Sequence, residues 1–324
     1  MNPRVLEGVK ELRQILFGFR PARVLLTANN YRIFDHLSNP LPAKTLSKKI
    51  SADLRATEIL LDALTSIGLV KKKNNRYSNA RIASQFLVSK SLHYQGDIIR
   101  HSDNLWKNWS GLDHVLKTGK PYHTERNHEA FVLGMHNIAS LKVKNFMKTI
   151  DLKGVKTVLD LGGGPGTYAI EMSKKGIDVT LFDAPETIGI AKKIIRREKS
   201  KPIRFMSGDF MIDDIGMGYD LILISQIFHA YSEKDNLYVL RKCRNALNDS
   251  GRVIVQEFPL SHDRIYPLQS ALFSVNMLVN TEGGRCYSSK EIRGWLIKVG
   301  LKDIHEQISD DTVIISGSYF RYPW

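Results

Sequence analysis

The stretch VLDLGGGPGTYA, Val158 to Ala169, is an apolar run that leads into four glycines and then into a helical segment. This order is typical of a buried β-strand that turns sharply into an α-helix. Glycines in such a turn let the backbone approach a ligand, and the helix N-terminus supplies free N–H donors. The dinucleotide motif G-x-G-x-x-G does not fit, because counting from Gly162 its third glycine falls on Thr167. Alone, the loop does not distinguish a ligand site from a structural turn.

Strand-like and helical segments alternate on the C-terminal side of residue 151. This alternation predicts an α/β fold with a mostly parallel, doubly wound sheet. Only Ser309 and Asp310 separate the last two predicted strands, which is too short for a crossover helix, so we expect these strands to pair antiparallel. The predicted strands are residues 156–161, 177–183, 203–207, 219–228, 251–258, 302–308 and 311–320.

The N-terminal part of the chain has apolar residues at helical spacing instead. Residues 42–79 are typical of a winged helix, with two helices and then a hairpin that turns at Asn74–Asn75. Residues 1–100 contain 17 Lys and Arg against 7 Asp and Glu, so DNA binding is one interpretation. However, the second helix, Leu54 to Ile67, has one arginine and two acidic residues, a poor surface for phosphates and bases. We therefore favour a packing or dimerisation module and expect no nucleic-acid partner.

The composition of the 324-residue chain is that of an ordinary globular protein, with 43% hydrophobic and 25% charged residues and a net charge of +14. No apolar segment reaches the ~18 residues that a membrane helix needs. The N-terminus lacks a signal-peptide pattern, so we expect a cytoplasmic protein. Cys243 and Cys286 form no metal-type pair, and the histidines lack metal-ligand spacing, so no metal site is expected.

Three acidic residues, Asp160, Asp183 and Asp209, lie at or just after the ends of the first three strands of the α/β region. Parallel sheets bind ligands at this edge. A carboxylate after the second strand suits a ribose diol, and Asp209 can accept from an adenine amino group while Phe210 covers the ring. Each acid alone is often a helix cap. Together with the glycine loop they indicate an adenosine site without a pyrophosphate cradle, which S-adenosylmethionine (SAM) fits.

The chain resembles the SAM-dependent O-methyltransferases of the plant and bacterial small-molecule type. Six segments match the successive motifs of that family in order: VLDLGGGPGTYA, FDAPETI, SGDF, ILISQIFHAYS, VIVQEFPL and GGRCYSSKEIRGWL. The resemblance implies a homodimer and three regions. These are an all-α, winged-helix-like dimerisation domain (1–100), a helical linker that contributes to the acceptor pocket (101–150) and a Rossmann-like class I methyltransferase domain that binds SAM (151–324).

The resemblance also implies site residues. Gly162 and Gly164 would line the methionine part of SAM, Asp183 the ribose, and Asp209 with Phe210 the adenine. Ser225 stands where many relatives have a lysine near the cofactor. The full set of candidate cofactor residues is Asp160, Gly162, Gly163, Gly164, Asp183, Gly208, Asp209, Phe210 and Ser225. The candidate residues for the small-molecule acceptor are Phe131, Met135, Asn276 and Met277.

His229 and Glu257 are the candidate catalytic residues. Methyl transfer from a sulfonium requires alignment of the reactants, and a base if the nucleophile is a hydroxyl. His229 follows the fourth strand and Glu257 lies near the end of the fifth, and neighbouring strands are roughly 5 Å apart. The strand order therefore predicts that the two side chains meet. The resemblance implies that His229 is the base and that Glu257 orients it.

Three residues depart from the family pattern. Ala230 and Tyr231 stand where plant-type relatives often have Asp and Trp, and Cys286 stands where they have a second carboxylate, with Glu282 four positions earlier. A weaker base suits an acidic nucleophile such as a phenol, an enol or a thiol. The alternatives are S- or N-methylation on the same scaffold, a winged-helix regulator that senses SAM, and a nicotinamide-dependent dehydrogenase.

Overall fold

A computed structural model describes residues 3–124, 127–198 and 200–320. The chain divides into two compact units, residues 1–103 and residues 104–324. Within the described ranges, no helix is both long enough and apolar enough to cross a membrane.

The N-terminal unit is mainly helical, and a small antiparallel sheet completes it. The helices are α1 (Pro3–Phe17), α2 (Phe19–Asn30), α3 (Ile33–His36), α4 (Ala43–Lys49), α5 (Leu54–Ser66) and α6 (Arg81–Phe86). The strands are β1 (Leu41–Pro42), β2 (Val70–Lys73) and β3 (Arg76–Asn79), in the spatial order β1-β3-β2. Because of this sheet the unit is helical without being all-α.

The hairpin of β2 and β3 turns where the sequence predicts. Lys73 pairs with Arg76, and the intervening Asn74 and Asn75 have φ angles of 49° and 52°. Asparagine tolerates this left-handed conformation better than most residues, so the turn suits the local sequence. Tyr77 on β3 is buried in the core of the unit, and its hydroxyl donates to Asp62 on α5 at 2.8 Å.

Helix α7 (Gly96–Trp109) crosses the division after residue 103, and the C-terminal unit contains its last residues, 104–109, and all later elements. The other helices are α8 (Leu112–Thr118), α9 (His128–Thr149), α10 (Thr167–Lys174), α11 (Pro185–Ile195), α12 (Glu233–Ala246), α13 (Leu268–Asn280) and α14 (Ser289–Lys298). The strands are β4 (Thr157–Leu161), β5 (Asp178–Asp183), β6 (Arg204–Ser207), β7 (Tyr219–Ser225), β8 (Leu247–Glu257), β9 (Lys302–Ser309) and β10 (Thr312–Ser318).

The described part of this unit forms a seven-stranded sheet in the order β6-β5-β4-β7-β8-β10-β9. Strands β4 to β8 pair parallel, whereas β10 pairs antiparallel with both β8 and β9. The predicted mostly parallel sheet with antiparallel final strands is therefore confirmed. Successive residues such as Val158 and Leu159 enter separate apolar clusters, one on each face of the sheet. Helices cover both faces, which explains why the central strands are continuously apolar.

The end of β7 differs from the prediction. The predicted strand 219–228 is too long, since β7 ends at Ser225. Gln226 has a φ of 60°, and Phe228–Ala230 form a 3₁₀ turn. The left-handed residue turns the chain out of the sheet. The turn, rather than the strand itself, therefore carries His229.

Candidate active site

His229 and Glu257 are brought together by the parallel pairing of β7 and β8. Nδ1 of His229 lies 2.8 Å from Oε2 of Glu257, and the backbone N–H of His229 donates to Oε1 at 3.3 Å. The side chains are 12% and 4% exposed, respectively. A carboxylate only accepts, so Nδ1 carries the proton in this bond. In the neutral ring, Nε2 then has the free lone pair that a base needs.

Two phenylalanines surround the imidazole of His229. The ring of Phe273 on α13 lies edge-on to it, with centroids 5.0 Å apart and an interplanar angle of 89°. Phe258, directly after Glu257, has its centroid 5.7 Å from His229 and 4.4 Å from Phe273. The base therefore lies in a partly apolar, aromatic environment.

The glycine loop after β4 requires glycine for different reasons at successive positions. Gly162 has a φ of 65°, and a Cβ there would lie 2.5 Å from Cδ1 of Ile227. A Cβ on Gly163 would lie 2.7 Å from the carboxylate of Asp160. Gly164 also has a positive φ, 56°, but its Cβ would meet no described atom within 4 Å. The space over Gly164 is therefore open to a ligand.

Asp160 lies beneath this loop and is 1% exposed. Neither carboxylate oxygen accepts a well-formed hydrogen bond from the described residues. Burial raises the pKa of Asp160 to about 7, the nearby Asp183 adds to the increase, and the backbone N–H of Ala169 partly opposes it. A buried carboxyl group without a partner is costly unless it is protonated or meets a donor. Asp160 therefore suits a site that receives a cationic or hydrogen-bond-donating ligand.

Asp183, the last residue of β5, ties its strand to the glycine loop. Its Oδ2 accepts from the N–H of Gly164 at 2.8 Å, and its Oδ1 accepts from the N–H of Ala184 at 2.7 Å. Burial raises the pKa of Asp183, although these two backbone bonds and a bond from Thr187 oppose the increase. The carboxylate is thus held rigidly at the strand end.

The segment after β6 contributes Gly208, Asp209 and Phe210. Oδ1 of Asp209 accepts from the N–H of Met211 at 2.8 Å, while the residue itself is exposed. Phe210 is 8% exposed, and its ring lies edge-on to that of Tyr231 with centroids 5.4 Å apart. The exposed carboxylate of Asp209, next to the rings of Phe210 and Tyr231, is suited to bind an aromatic ring that carries an amino group.

Ser225 belongs to a chain of hydrogen bonds with a fixed direction. The Thr312 hydroxyl donates to the carbonyl of Ser309 at 2.8 Å, so it accepts from Nε2 of Gln256 at 3.1 Å. Oε1 of Gln256 then accepts from the hydroxyl of Ser225 at 2.9 Å. Ser225 therefore keeps acceptor capacity for other groups and donates its single proton to Gln256.

The candidate acceptor residues fall into two places. Asn276 and Met277 are buried on α13, one turn beyond Phe273, and Oδ1 of Asn276 accepts from the indole N–H of Trp109 at 2.9 Å. Phe131 and Met135 lie on α9, which packs against α10 and α11. The ring of Phe131 is 6.1 Å from that of His128, whose Nε2 contacts Thr187 at 3.0 Å. Phe131 is therefore placed on the Asp183 side of the sheet.

Cys286 lies close to the histidine–carboxylate pair. It is 2% exposed, and burial raises the pKa of its thiol to about 11, with a smaller contribution from Glu257. The thiol is therefore protonated and neutral at physiological pH. Glu282, by contrast, is exposed.

Several residues at the site were not among the candidates from the sequence. Phe258 adjoins Glu257, Gln256 holds Ser225, and Ile227 packs over Gly162. Each is adjacent in sequence to a candidate or lies within its motif, but an apolar or amide residue at or just after the end of a strand gives no chemical signal. Phe273 lies on α13 with the candidates Asn276 and Met277, and Tyr231 stands at a position that departs from the family pattern. Only the ring contacts show what these two side chains touch.

Comparisons with known proteins agree with this geometry. Residues 93–302 match the family model described as the O-methyltransferase domain, and residues 13–89 match the O-methyltransferase dimerisation domain. The 3-hydroxy-5-methyl-1-naphthoate 3-O-methyltransferase of Streptomyces sahachiroi is 27% identical over 309 residues, covering 90% of this chain and 89% of that protein. The acetylserotonin O-methyltransferase of Gallus gallus is 29% identical over 301 residues, covering 83% and 87%.

The fold is shared with solved methyltransferases. The crystal structure of human N-acetylserotonin methyltransferase in complex with SAM superposes with a TM-score of 0.89 at 24% identity, covering 97% of this chain and 98% of that one. Because the O-methyltransferase model spans well over half of the chain, the protein belongs to the O-methyltransferase family and is a SAM-dependent O-methyltransferase of small molecules.

Proposed function

We propose that His229 removes the proton from the acceptor hydroxyl during methyl transfer, and that Glu257 orients its imidazole. The observation that carries this proposal is the 2.8 Å contact between Nδ1 of His229 and Oε2 of Glu257. The contact fixes the tautomer in which Nε2 is the free acceptor, and the second bond, from the His229 backbone, holds the carboxylate in place. A base that is positioned in this way typically contributes about 10²–10⁴-fold to the rate.

The residues at the strand ends fit SAM. Bound SAM would supply a methyl group already activated by its sulfonium. The open space over Gly164 suits the amino-acid part, which carries an ammonium group, and so does the carboxylate of Asp160, which accepts no well-formed hydrogen bond from the described residues. Asp183 is held at the end of β5 where a ribose would lie, and Asp209 and Phe210 form the corner for adenine. Gly163 and Gly208 complete the backbone of these loops, and Ser225 offers an acceptor at the end of β7.

The acceptor that best suits the site is a planar aromatic hydroxyl compound. The rings of Phe258, Phe273 and His229 form an aromatic wall. Asn276 and Met277 extend it along α13, and Phe131 and Met135 would bound the pocket from α9. The relatives named above are a naphthoate and an acetylserotonin O-methyltransferase, which agrees with this class of acceptor.

Cys286 narrows the acceptor class further. A neutral thiol replaces the second carboxylate that the resemblance led us to expect. His229 therefore has one carboxylate partner. We infer that it is a weaker base than the histidine of relatives that have two carboxylates. We infer that the preferred nucleophile is an acidic hydroxyl, such as an electron-poor phenol or an enol. S- and N-methylation are the competing reactions on this scaffold.

The N-terminal unit carries a dimerisation domain, and we propose that the protein is a homodimer with a winged-helix arrangement in residues 1–100. Helix α1 exposes an apolar stripe that the unit itself does not bury. The stripe consists of Val5, Leu6, Val9, Leu12, Ile15 and Leu16, each between 42% and 80% exposed.

Residues 101–150 would serve as the helical linker and residues 151–324 as the SAM domain. The free thiols of Cys243 and Cys286 suit a reducing compartment such as the cytoplasm.

The proposal is tested by calorimetry and by turnover. S-Adenosylhomocysteine should bind with one site per chain, and a panel of phenols, thiols and amines should show turnover with the phenols. His229→Ala should retain binding of S-adenosylhomocysteine and lose the methylation of phenols. Turnover of phenols that does not change in His229→Ala would remove the base from the mechanism.

A further inference from the structure

We propose that Lys242 is a positioning residue for the cofactor, because it fixes the backbone of the segment 208–213 that would receive the adenine. This inference rests on the cofactor role proposed above for Asp209 and Phe210. Lys242 itself touches neither the cofactor nor the reacting atoms. It acts through the shape of the segment, which we call the adenine loop (residues 208–213).

Lys242 lies on α12 and makes two hydrogen bonds to the adenine loop. Its Nζ donates to the carbonyl of Phe210 at 2.7 Å and to the carbonyl of Asp213 at 2.5 Å. Within the described ranges no carboxylate forms a salt bridge with Nζ, although the ring of Tyr238 lies 5.7 Å away. The charge of Lys242 is therefore directed at two backbone carbonyls of one loop. Hydrogen bonds from a charged donor are stronger than neutral ones.

The adenine loop is closed by its own hydrogen bonds, which leaves these carbonyls to Lys242. The N–H of Asp209 donates to Oδ2 of Asp213 at 2.8 Å, and the N–H of Asp213 donates to the carbonyl of Asp209 at 2.7 Å. A Cβ on Gly208 would lie 2.6 Å from Oδ2 of Asp213, so this closure requires glycine at position 208. The loop is thus a single tight turn, and Lys242 of α12 holds two of its carbonyls.

The anchoring determines where the recognition groups point. The carbonyl of Phe210 belongs to the residue whose ring lies edge-on to Tyr231, so fixing this carbonyl fixes the backbone from which the ring extends. Asp209 precedes it in the same turn and keeps one oxygen, Oδ2, free of hydrogen bonds from the described residues. Without Lys242, both groups would have to be ordered when the cofactor binds, and this ordering would weaken binding.

The test compares Lys242→Met with Lys242→Arg in the full-length protein. Lys242→Met keeps the length of the side chain and removes both donors, whereas arginine can still donate to two carbonyls. Lys234→Met, at an exposed position on the same helix, is the matched control. The probes are S-adenosylhomocysteine and 5′-methylthioadenosine, which keeps the adenosine and lacks the amino-acid part.

We expect Lys242→Met to raise the Kd of both probes by a similar factor, about tenfold. The KM for SAM should rise in parallel, while kcat at saturating SAM stays within about twofold. Lys242→Arg should keep both Kd values within about threefold, and Lys234→Met should match the wild type. A similar loss for both probes locates the defect at the adenosine end of the site.

The inference is overturned if Lys242→Met lowers the melting temperature and leaves both Kd values unchanged, because the lysine then only stabilises the fold. A loss confined to S-adenosylhomocysteine would also overturn it, since the defect would lie at the amino-acid end.

Phe210→Ala distinguishes failure of the inference about Lys242 from failure of the proposed adenine site. If Phe210→Ala binds both probes normally, the adenine assignment itself is wrong. If it binds them weakly while Lys242→Met binds them normally, only the role of Lys242 is wrong.

Discussion

His229 meets Glu257 through two separate atoms, since both the imidazole Nδ1 and the backbone N–H of His229 contact the carboxylate of Glu257. A carboxylate that is held at both oxygens cannot rotate freely, so the imidazole has one preferred orientation. The two residues are 28 positions apart in the chain. They meet because β7 and β8 are parallel neighbours and because the chain turns out of the sheet after Ser225.

Replacing either member of this pair should reduce turnover to different extents. We expect His229→Ala to lower kcat by about 10²–10⁴-fold, because the base is lost. Glu257→Gln should lower it by about 10–100-fold, because an amide still accepts from Nδ1 but no longer stabilises the charged imidazolium. Single-turnover kinetics with a phenol would measure both. Equal loss in the two variants would contradict separate roles as base and orienting residue, and unchanged binding of S-adenosylhomocysteine is the control.

Two alanine substitutions in the glycine loop should both destabilise the folded protein, but only one of them should weaken binding of the cofactor. In Gly163→Ala the new methyl group meets Asp160 and Leu181 at 2.7 Å, so we expect a loss of about 1–3 kcal/mol in the free energy of unfolding. Gly164→Ala should lower the free energy of unfolding by about 1–2 kcal/mol, because position 164 has a left-handed backbone conformation. The new methyl group also enters the open space above the loop. We therefore expect only Gly164→Ala to raise the Kd of S-adenosylhomocysteine strongly in the folded protein. Binding at the wild-type level would show that the cofactor lies elsewhere.

Asp160→Asn should change how stability depends on pH. The folded pKa of Asp160, about 7, lies above its ordinary value near 3.8, so the folded state holds more protons between these two values. The contribution of Asp160 to the free energy of unfolding is therefore greatest below about pH 4. It falls by up to ~1.4 kcal/mol per pH unit as the pH rises toward 7. The asparagine side chain cannot ionise, so the variant should gain stability relative to the wild type over this range. Urea unfolding at pH 5 and pH 8 measures the difference. If the free energies of unfolding of the variant and the wild type differ by the same amount at both pH values, the raised pKa is contradicted.

Phe273→Ala should affect the acceptor more than the cofactor. The ring contacts His229 edge-on and Phe258 at 4.4 Å, so its removal opens the aromatic wall. We expect the KM for an aromatic acceptor to rise about tenfold or more, since the lost contact area is that of a whole aromatic side chain. The Kd of S-adenosylhomocysteine should not change. Leu272→Ala, at an exposed neighbouring position on α13, is the control. Equal KM values in the two variants would place the acceptor away from Phe273.

A charge in the apolar stripe of α1 should disrupt the homodimer. Leu12 and Ile15 are 65% and 80% exposed in the single chain, which is costly unless a second chain covers them. We expect Leu12→Glu with Ile15→Glu to shift sedimentation from dimer to monomer at micromolar concentration. Lys10→Glu changes charge outside the stripe and should stay dimeric. A wild-type protein that sediments as a monomer would refute the proposed assembly.

Glu291 illustrates a local feature that the sequence contains but whose strength depends on the fold. The sequence SSKE, Ser288 to Glu291, is a capping box, and both of its bonds are formed at the start of α14. Burial alone would raise the pKa of Glu291, but hydrogen bonds from Arg285 and Ser288 outweigh it and lower the pKa to about 2. The motif is local, whereas the contribution of Arg285 depends on how the preceding turn folds.

The amino-acid sequence is enough to predict the α/β alternation, the antiparallel last strands, the glycine loop and the succession of motifs, because these features depend on periodicity and on neighbours in the chain. It also predicts that His229 and Glu257 meet, since strand order follows from connection rules. Three features become visible only in the folded chain: a 3₁₀ turn carries His229, Phe273 packs against it, and Lys242 reaches the adenine loop. These contacts join residues far apart in sequence, and their strength comes from burial and side-chain geometry that no local pattern encodes.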